Sequence, residues 1–321
     1  MGKDMRAIFT LMLTFVIMGA MVQKRSHVPL ADPFIYYENG VYYAYGTHSL
    51  EGFEVYTSKN LKEWNYSGLA LTLDDSYSNN RFFAPEVYKV ADSRYLMYYS
   101  ANEHVCVAEG TSPLGPFRQK DMKPIFEDFR AIDNHLFIDD DGTPYMFFVN
   151  FDHGNVVSMV EMERDFVTPK RETLRECCRV SQDWERQKAT WDKRKEVNIN
   201  EGPFVIKHNG TYFLTYSANS FRSEFYSVGY ATTKDIRNGK WEKYTGNPIL
   251  ANPGDLLGTG HHAFFCDKED NLRVVFHAHH DKDHVRPRMM YIGKAWFDNV
   301  EGEDLLRIGT DYIIPKLKHS Y

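Results

Sequence analysis

One phrase recurs five times along the chain: an apolar run, a tight polar turn, then a second run rich in tyrosine or phenylalanine. It reads PFIYYENGVYYAY over 33–45, EVYKVADSRYLMYYS over 86–100, LFIDDDGTPYMFFV over 136–149, PFVIKHNGTYFLTYS over 203–217 and AFFCDKEDNLRVVFH over 263–277. Aromatic and β-branched runs joined by a turn dipeptide mark a β-hairpin, because the central turn residues must accept positive φ. The turns are expected at Asn39-Gly40, Asp92-Ser93, Asp141-Gly142, Asn209-Gly210 and near Asp270-Asn271. Their spacing of roughly fifty to seventy residues suits one four-stranded blade plus loops. The expected fold is therefore all-β, a five-bladed β-propeller. An antiparallel sandwich also yields many short strands, but it has no reason to repeat one hairpin phrase at long, similar intervals.

Ionisable residues stand just before each hairpin: Asp32, Glu86, Asp133, Glu201 and the pair His261-His262, each about seven to ten residues ahead of its turn. Equivalent positions in a propeller converge on the central channel. One acid beside a strand is usually a solvated loop residue or a turn cap; five at matching places point to a site at the channel. Two carboxyls across a pocket are the minimum for glycosidic hydrolysis, one protonating the leaving oxygen and one activating water or attacking the sugar. A third can raise the proton donor's pKa by its charge. Asp32, Asp133 and Glu201 fit those needs.

Composition narrows the partners. The 321-residue chain is 43% hydrophobic and 15% aromatic with a net charge of −6, enough to fill a large core but wrong in sign for a nucleic-acid partner. Lys3 and Arg6 precede an uncharged stretch over 7–23, in which an apolar run from Ile8 to Met18 is followed by small Gly19-Ala20. That layout predicts a secretory signal peptide over 1–26, with the propeller over 28–321, no membrane span in the mature chain, and a secreted or periplasmic protein. The four cysteines, Cys106, Cys177, Cys178 and Cys266, are too few for a disulfide framework and lack zinc spacing. The stretch 170–197, with nine basic and six acidic residues, Trp184, Trp191 and no glycine, breaks the β pattern. It reads as a helical or irregular insertion, either a solvated excursion or a cleft wall that offers a tryptophan to substrate.

The words around the acids carry a resemblance. Ala31-Asp32-Pro33-Phe34, Ala84-Pro85-Glu86-Val87, Ile132-Asp133 followed by Asp139-Asp140-Asp141-Gly142, Asn200-Glu201-Gly202-Pro203-Phe204 and Gly258-Thr259-Gly260-His261 resemble the successive blade motifs of glycoside hydrolase family 43, over about 30–314. The resemblance implies a five-bladed propeller and an inverting mechanism, with Asp32 as general base, Asp133 as pKa modulator and orienter, and Glu201 as general acid. It also implies that Arg288 bonds hydroxyls of the sugar at the cleavage point, that Phe34, Phe83 and Glu86 shape the sugar pocket, and that His261 is an axial histidine near a structural calcium ion in the central channel. No cofactor is expected for the chemistry itself. Where the family phrase has tryptophan before Ala-Pro-Glu this chain has Phe83, which keeps a stacking face and loses an indole donor.

Rival functions leave weaker traces. A fructan-cleaving propeller needs an Asn-Asp-Pro-Asn phrase and a Glu-Cys pair, whereas Asp32 follows Ala31 and Glu201 precedes Gly202. A non-catalytic sugar-binding propeller would have lost one of the acids, and a WD-type propeller would repeat Trp-Asp. The expected substrate is a plant cell-wall polysaccharide or oligosaccharide, cleaved as by an α-L-arabinofuranosidase or β-xylosidase. An exo-β-1,3-galactanase or endo-arabinanase of the same family is the alternative.

Overall fold

The hairpin turns form where the chain can take left-handed backbone. In a computed structural model, which describes residues 26–318, Asn39 and Gly40 have φ of 50° and 79°, and Asn209 and Gly210 have 46° and 75°. Each pair closes a two-residue loop, since Glu38 pairs with Val41 and His208 with Thr211. Around these turns the first blade runs β1 (Ala31–Glu38), β2 (Val41–Thr47), β3 (Gly52–Ser58) and β4 (Glu63–Thr72). The second is β5 (Phe83–Ala91), β6 (Arg94–Ala101) and β7 (His104–Gly110). The third is β8 (Ala131–Ile138), β9 (Pro144–Phe151), β10 (Asn155–Glu161) and β11 (Arg175–Cys178). The fourth is β12 (Asn200–His208), β13 (Thr211–Ala218), β14 (Ser227–Thr233) and β15 (Glu242–Lys243), and the fifth is β16 (Gly260–Cys266), β17 (Leu272–Ala278), β18 (Met289–Val300) and β19 (Glu303–Ile313). Each sheet is an antiparallel meander in chain order. The inner strands β1, β5, β8, β12 and β16 pack one against the next, and β16 returns to β1. This is the expected five-bladed propeller.

Both ends of the described chain lock the ring. Residues 316–317 form β20 (Lys316–Leu317), which adds parallel to β4 on the outer edge of the first blade. Val28 N–H donates to the Pro315 carbonyl (3.2 Å), Leu317 N–H to that of Ser26 (2.8 Å), and Met290 N–H to that of Val28 (3.1 Å). Ser26 and His27 thus already bond or lie within the fold, and the predicted leader over 1–26 lies, except for Ser26, outside the described residues. Between blades the core is aromatic: Phe34 lies 5.6 Å from Tyr88, Phe204 5.7 Å from Phe264, and Tyr42 6.1 Å from Phe265. Such rings bury large areas and fill the wedge between twisted sheets.

Two blades depart from expectation. The second has three strands; its outer edge is covered by irregular chain, with Glu109 and Arg118 exchanging backbone hydrogen bonds of 2.9 and 3.0 Å, which blunts an open edge. The charged stretch 170–197 is only partly an insertion, because Arg175–Cys178 is the fourth strand of the third blade. Of those four side chains only Cys178 is buried, so an outer edge strand shows little alternation in sequence. The rest is anchored by Glu185, fully buried and paired with Lys243 of the fourth blade. Its carboxylate also accepts from the backbone N–H groups of Ser181 and Gln182 at 2.6 and 2.7 Å.

Candidate active site

The five inner strands begin with the same distortion. Register shifts fall between Ala31 and Phe34, Phe83 and Glu86, Ile132 and His135, Glu201 and Phe204, and Gly260 and Ala263. Within each bulge one residue is left-handed: Asp32 (φ 48°), Ala84 (47°), Asp133 (55°), Gly202 (55°) and His261 (46°). A bulge re-aims a side chain and often stands beside an active site. It also sets a stricter register than the sequence suggested. Asp32, Asp133 and His261 are equivalent to one another and to Ala84 and Gly202, while Glu201 stands one residue earlier and Glu86 two later. The expectation of five ionisable residues at one equivalent position is thus corrected to three, because a shift of one residue changes the face a strand side chain occupies.

Each left-handed residue has its N–H free of the strand ladder, and the preceding blade takes it up. Ala84 donates to Thr47 Oγ1 (3.1 Å), Asp133 to Ser100 Oγ (3.0 Å), His261 to Ser217 Oγ (2.8 Å) and Asp32 to His277 Nδ1 (3.1 Å). These acceptors pair across from the first residue of each bulge. In the third blade that position is Val149, which has no acceptor. There Gly202 N–H donates instead to Asp133 Oδ2 at 3.2 Å, which ties this carboxylate to the residue after Glu201. What distinguishes Gly202 from the other left-handed residues is space: a Cβ would come within 3.2 Å of the His261 ring, a tight contact that the ring would have to yield to.

The three predicted acids converge, with different partners. Asp32, buried, receives both ends of the Arg288 guanidinium, Nη1 to Oδ1 at 2.7 Å and Nη2 to Oδ2 at 3.2 Å. His261 Nδ1 lies 3.2 Å from Asp32 Oδ1 and 4.0 Å from Asp133 Oδ2, bridging the two. Glu201 accepts from Tyr226 Oη at 2.9 Å on one oxygen and from Asn155 Nδ2 at 2.9 Å on the other. Burial would raise the Asp32 carboxyl, but the positive charge of Arg288, with His261 and His277, holds it well below the usual carboxylate range. Burial first, then the Asp32 charge, pushes Glu201 from 4.5 up to about 7 against the hydrogen bonds from Tyr226 and Asn155. Asp133 is held well above the usual range by burial and by its neighbours Glu201 and Asp32. His261 and His277 are both lowered, chiefly by burial.

The remaining predicted residues separate. Arg288 is on Asp32, and Phe83, half-buried, lines a cavity with it. Phe34 and Glu86 lie two residues past the left-handed position, in a layer of contacts between blades. Phe34 packs on Tyr88, and Glu86 meets the Tyr88 hydroxyl and, at 3.2 Å, His135 Nδ1. In the charged stretch Trp184 packs 6.0 Å from Tyr216, Trp191 is exposed, and Arg194, paired with Asp192, feels the charge of Glu201. Among the described residues no group of three or more His, Cys, Asp or Glu side chains is arranged to hold a metal. Calcium takes six to eight oxygens, so a cation near His261 would need ligands beyond these side chains. Asn134, buried beside Asp133 with its Oδ1 unpartnered, is the one further side-chain oxygen in that bulge. Tyr226, Asn155, His277 and Val149 went unread in the sequence. The last residue of four of the five quoted phrases, Ser100, Val149, Ser217 and His277, was the available signal.

A carboxylate held ionised and a carboxyl held protonated, at the starts of two inner strands, are what glycosidic hydrolysis requires of a site. The sequence profile of glycosyl hydrolases family 43 matches residues 27–294, and the chain belongs to that family of glycoside hydrolases. It is similar to a solved structure described as an endo-1,4-β-xylanase from Bacteroides thetaiotaomicron, with 39% identity, a TM-score of 0.83, and coverage of 92% of this chain and 99% of that one. It is 25% identical to a β-D-galactofuranosidase of Aspergillus niger over 86% of this chain and 81% of the relative. It is 23% identical to an extracellular exo-α-(1→5)-L-arabinofuranosidase of Cellvibrio japonicus over 84% of each.

Proposed function

We propose that the enzyme hydrolyses glycosides with inversion, Asp32 acting as general base and Glu201 as general acid. The observation that carries this reading is the difference in partners: Asp32 receives both ends of the Arg288 guanidinium, which favours its ionised form, while Glu201 is bonded by the neutral groups of Tyr226 and Asn155 and is pushed up to about 7 by burial. In the reaction a water between Asp32 and the anomeric carbon gives its proton to Asp32 as it attacks. Glu201 protonates the departing glycosidic oxygen. Room for that water requires the two carboxyls to stand about 6.5–9.5 Å apart. Asp133, tied to Gly202, stands near Glu201 as a second buried carboxyl, and the repulsion between the two when both are ionised keeps the pair's last proton on. Arg288 orients Asp32 and offers donors to sugar hydroxyls.

The chemistry needs no cofactor. A calcium ion bound near His261 would supply structural support and a fixed positive charge to the channel. We propose a substrate among plant cell-wall glycans, with α-L-arabinofuranosyl or β-xylosyl side chains removed one at a time. The family and the activities named for its relatives support that class. We also propose export, supported by the N-terminal pattern and the extracellular relative; recovery of a shortened chain from periplasm or medium tests it.

The role assignment is tested with Asp32→Asn and Glu201→Gln on two kinds of substrate. An amide at 201 cannot protonate a poor leaving group, so natural glycosides stop turning over while activated aryl glycosides, which need no proton, continue. Asp32→Asn should lose both. Equal residual rates on both substrates in the two variants would contradict the roles.

A further inference from the structure

Beside the site lies a cavity of about 590 Å³, between the β2–β3 loop of the first blade, the residues leading into the second blade and the β17–β18 loop of the fifth. It adjoins the reacting centre through Arg288, which holds Asp32, and through Phe83. Its lining includes Arg81, Arg286, Arg288 and His48, and neither Asp nor Glu, on a chain whose net charge is −6.

The local charges do not balance. Arg288 is matched by Asp32. Arg81 pairs with Glu103, but that carboxylate also serves Arg130. Among the described residues neither Arg286 nor Arg222 has an acidic partner, and together with Arg288 they gather around one ring, at 5.7, 5.7 and 4.5 Å from the centre of Phe221. The ring face offsets part of the repulsion among three guanidiniums. Partial desolvation and the nearby charges of Arg288 and Arg222 also lower the pKa of Arg286. An anion in the cavity would complete the balance.

We propose that this cavity binds a uronic acid unit of the substrate, next to the sugar cleaved at Asp32 and Glu201, so that the enzyme acts on acidic glycans. The volume is in the range of sites that hold one sugar or more. A planar carboxylate matches the guanidinium fork of Arg286. Phe83 and Leu50, the latter 91% exposed at the cavity edge, offer apolar faces to the C–H side of a pyranose ring. The position of the uronate rests on the proposed reaction; its binding does not.

Binding is therefore measured without turnover, by calorimetry on the Glu201→Gln full-length enzyme. The probes are xylo-oligosaccharides carrying glucuronic acid, the same compounds with the carboxyl reduced to an alcohol, and sulfated xylo-oligosaccharides. The acidic form should bind about tenfold more tightly than the reduced form at low salt, with the preference shrinking as salt is raised. Adding Arg286→Ala should remove the preference, and Arg286→Lys, which keeps the charge but loses the fork, should keep only part of it. Arg286 is exposed, and a melting curve checks that each variant is folded. Equal binding of acidic and reduced forms, an undiminished preference in Arg286→Ala, or binding of the sulfated probe alone would each overturn the proposal. Failure of the proposed reaction would show instead as absent turnover in the wild type with this preference intact.

Discussion

Replacing Tyr226 by Phe tests the proton donor through a single atom. The Tyr226 hydroxyl donates to Glu201 Oε1 at 2.9 Å and lowers the carboxyl's pKa, opposing the burial that raises it to about 7. A hydrogen bond to a charged group is worth about 1.5–3 kcal/mol, and one pKa unit corresponds to about 1.4 kcal/mol. Part of that bond survives when Glu201 is protonated, and Asn155 still serves the other oxygen, so the net rise should be about one unit. The acid must be protonated in the free enzyme, so activity falls as pH rises through its pKa. Raising that pKa moves the alkaline limb of the kcat/KM profile upward by the same amount. The assay is a pH profile on an unactivated oligosaccharide, where proton donation matters, with an activated aryl glycoside as control. The ring of Tyr226 stacks 5.6 Å from His277 and is kept by phenylalanine. An alkaline limb that stays put or moves down would show that Glu201 is not the titrating acid.

Three further outcomes follow from the same geometry. Asp133→Asn should move the alkaline limb down, opposite to Tyr226→Phe, because an amide removes the repulsion that opposes loss of the last proton from the two buried carboxyls; an unchanged limb with lost ligand binding would make Asp133 a sugar contact. Val149→Thr places a hydroxyl where Ser100 and Ser217 stand in their blades, free to capture the Gly202 N–H and loosen Asp133; a smaller downward shift than in Asp133→Asn is expected, and an unmoved profile in a folded variant would refute the tether. Glu201→Gln should stabilise the fold at pH 8 and much less at pH 5. The folded-state pKa is raised from 4.5 to about 7, so ionisation costs stability only as pH climbs through that interval, at most about 3 kcal/mol. Melting curves at the two pH values check the sign.

Much of this was legible because it is local. Asn39-Gly40 and Asn209-Gly210 announce their turns through backbone preference alone, and the repeated phrase placed five inner strands around one channel. Asp32, Asp133 and Glu201 were readable as members of that repeat. Their fine register was not, since the left-handed position is held in turn by Asp32, Ala84, Asp133, Gly202 and His261, which share no side-chain chemistry. Glu86 illustrates the cost: counted by distance from its turn it looked equivalent to Asp32, yet the bulge sends it to Tyr88 and His135. Tyr226 and Asn155 reach Glu201 from the β13–β14 connection and the neighbouring third blade, contacts made by packing and not by spacing. The strand Arg175–Cys178 was hidden because an outer edge buries too little to impose alternation.

The most direct measurement is the configuration of the sugar at the moment of release. Proton NMR during the first minutes of hydrolysis, before mutarotation, distinguishes the two anomers. A water activated by Asp32 and a proton from Glu201 predict that the first-formed sugar has the anomeric configuration opposite to that of the bond cleaved. Retention would mean that one of these carboxyls attacks the sugar directly, and the assignment of Asp32 as base would fail.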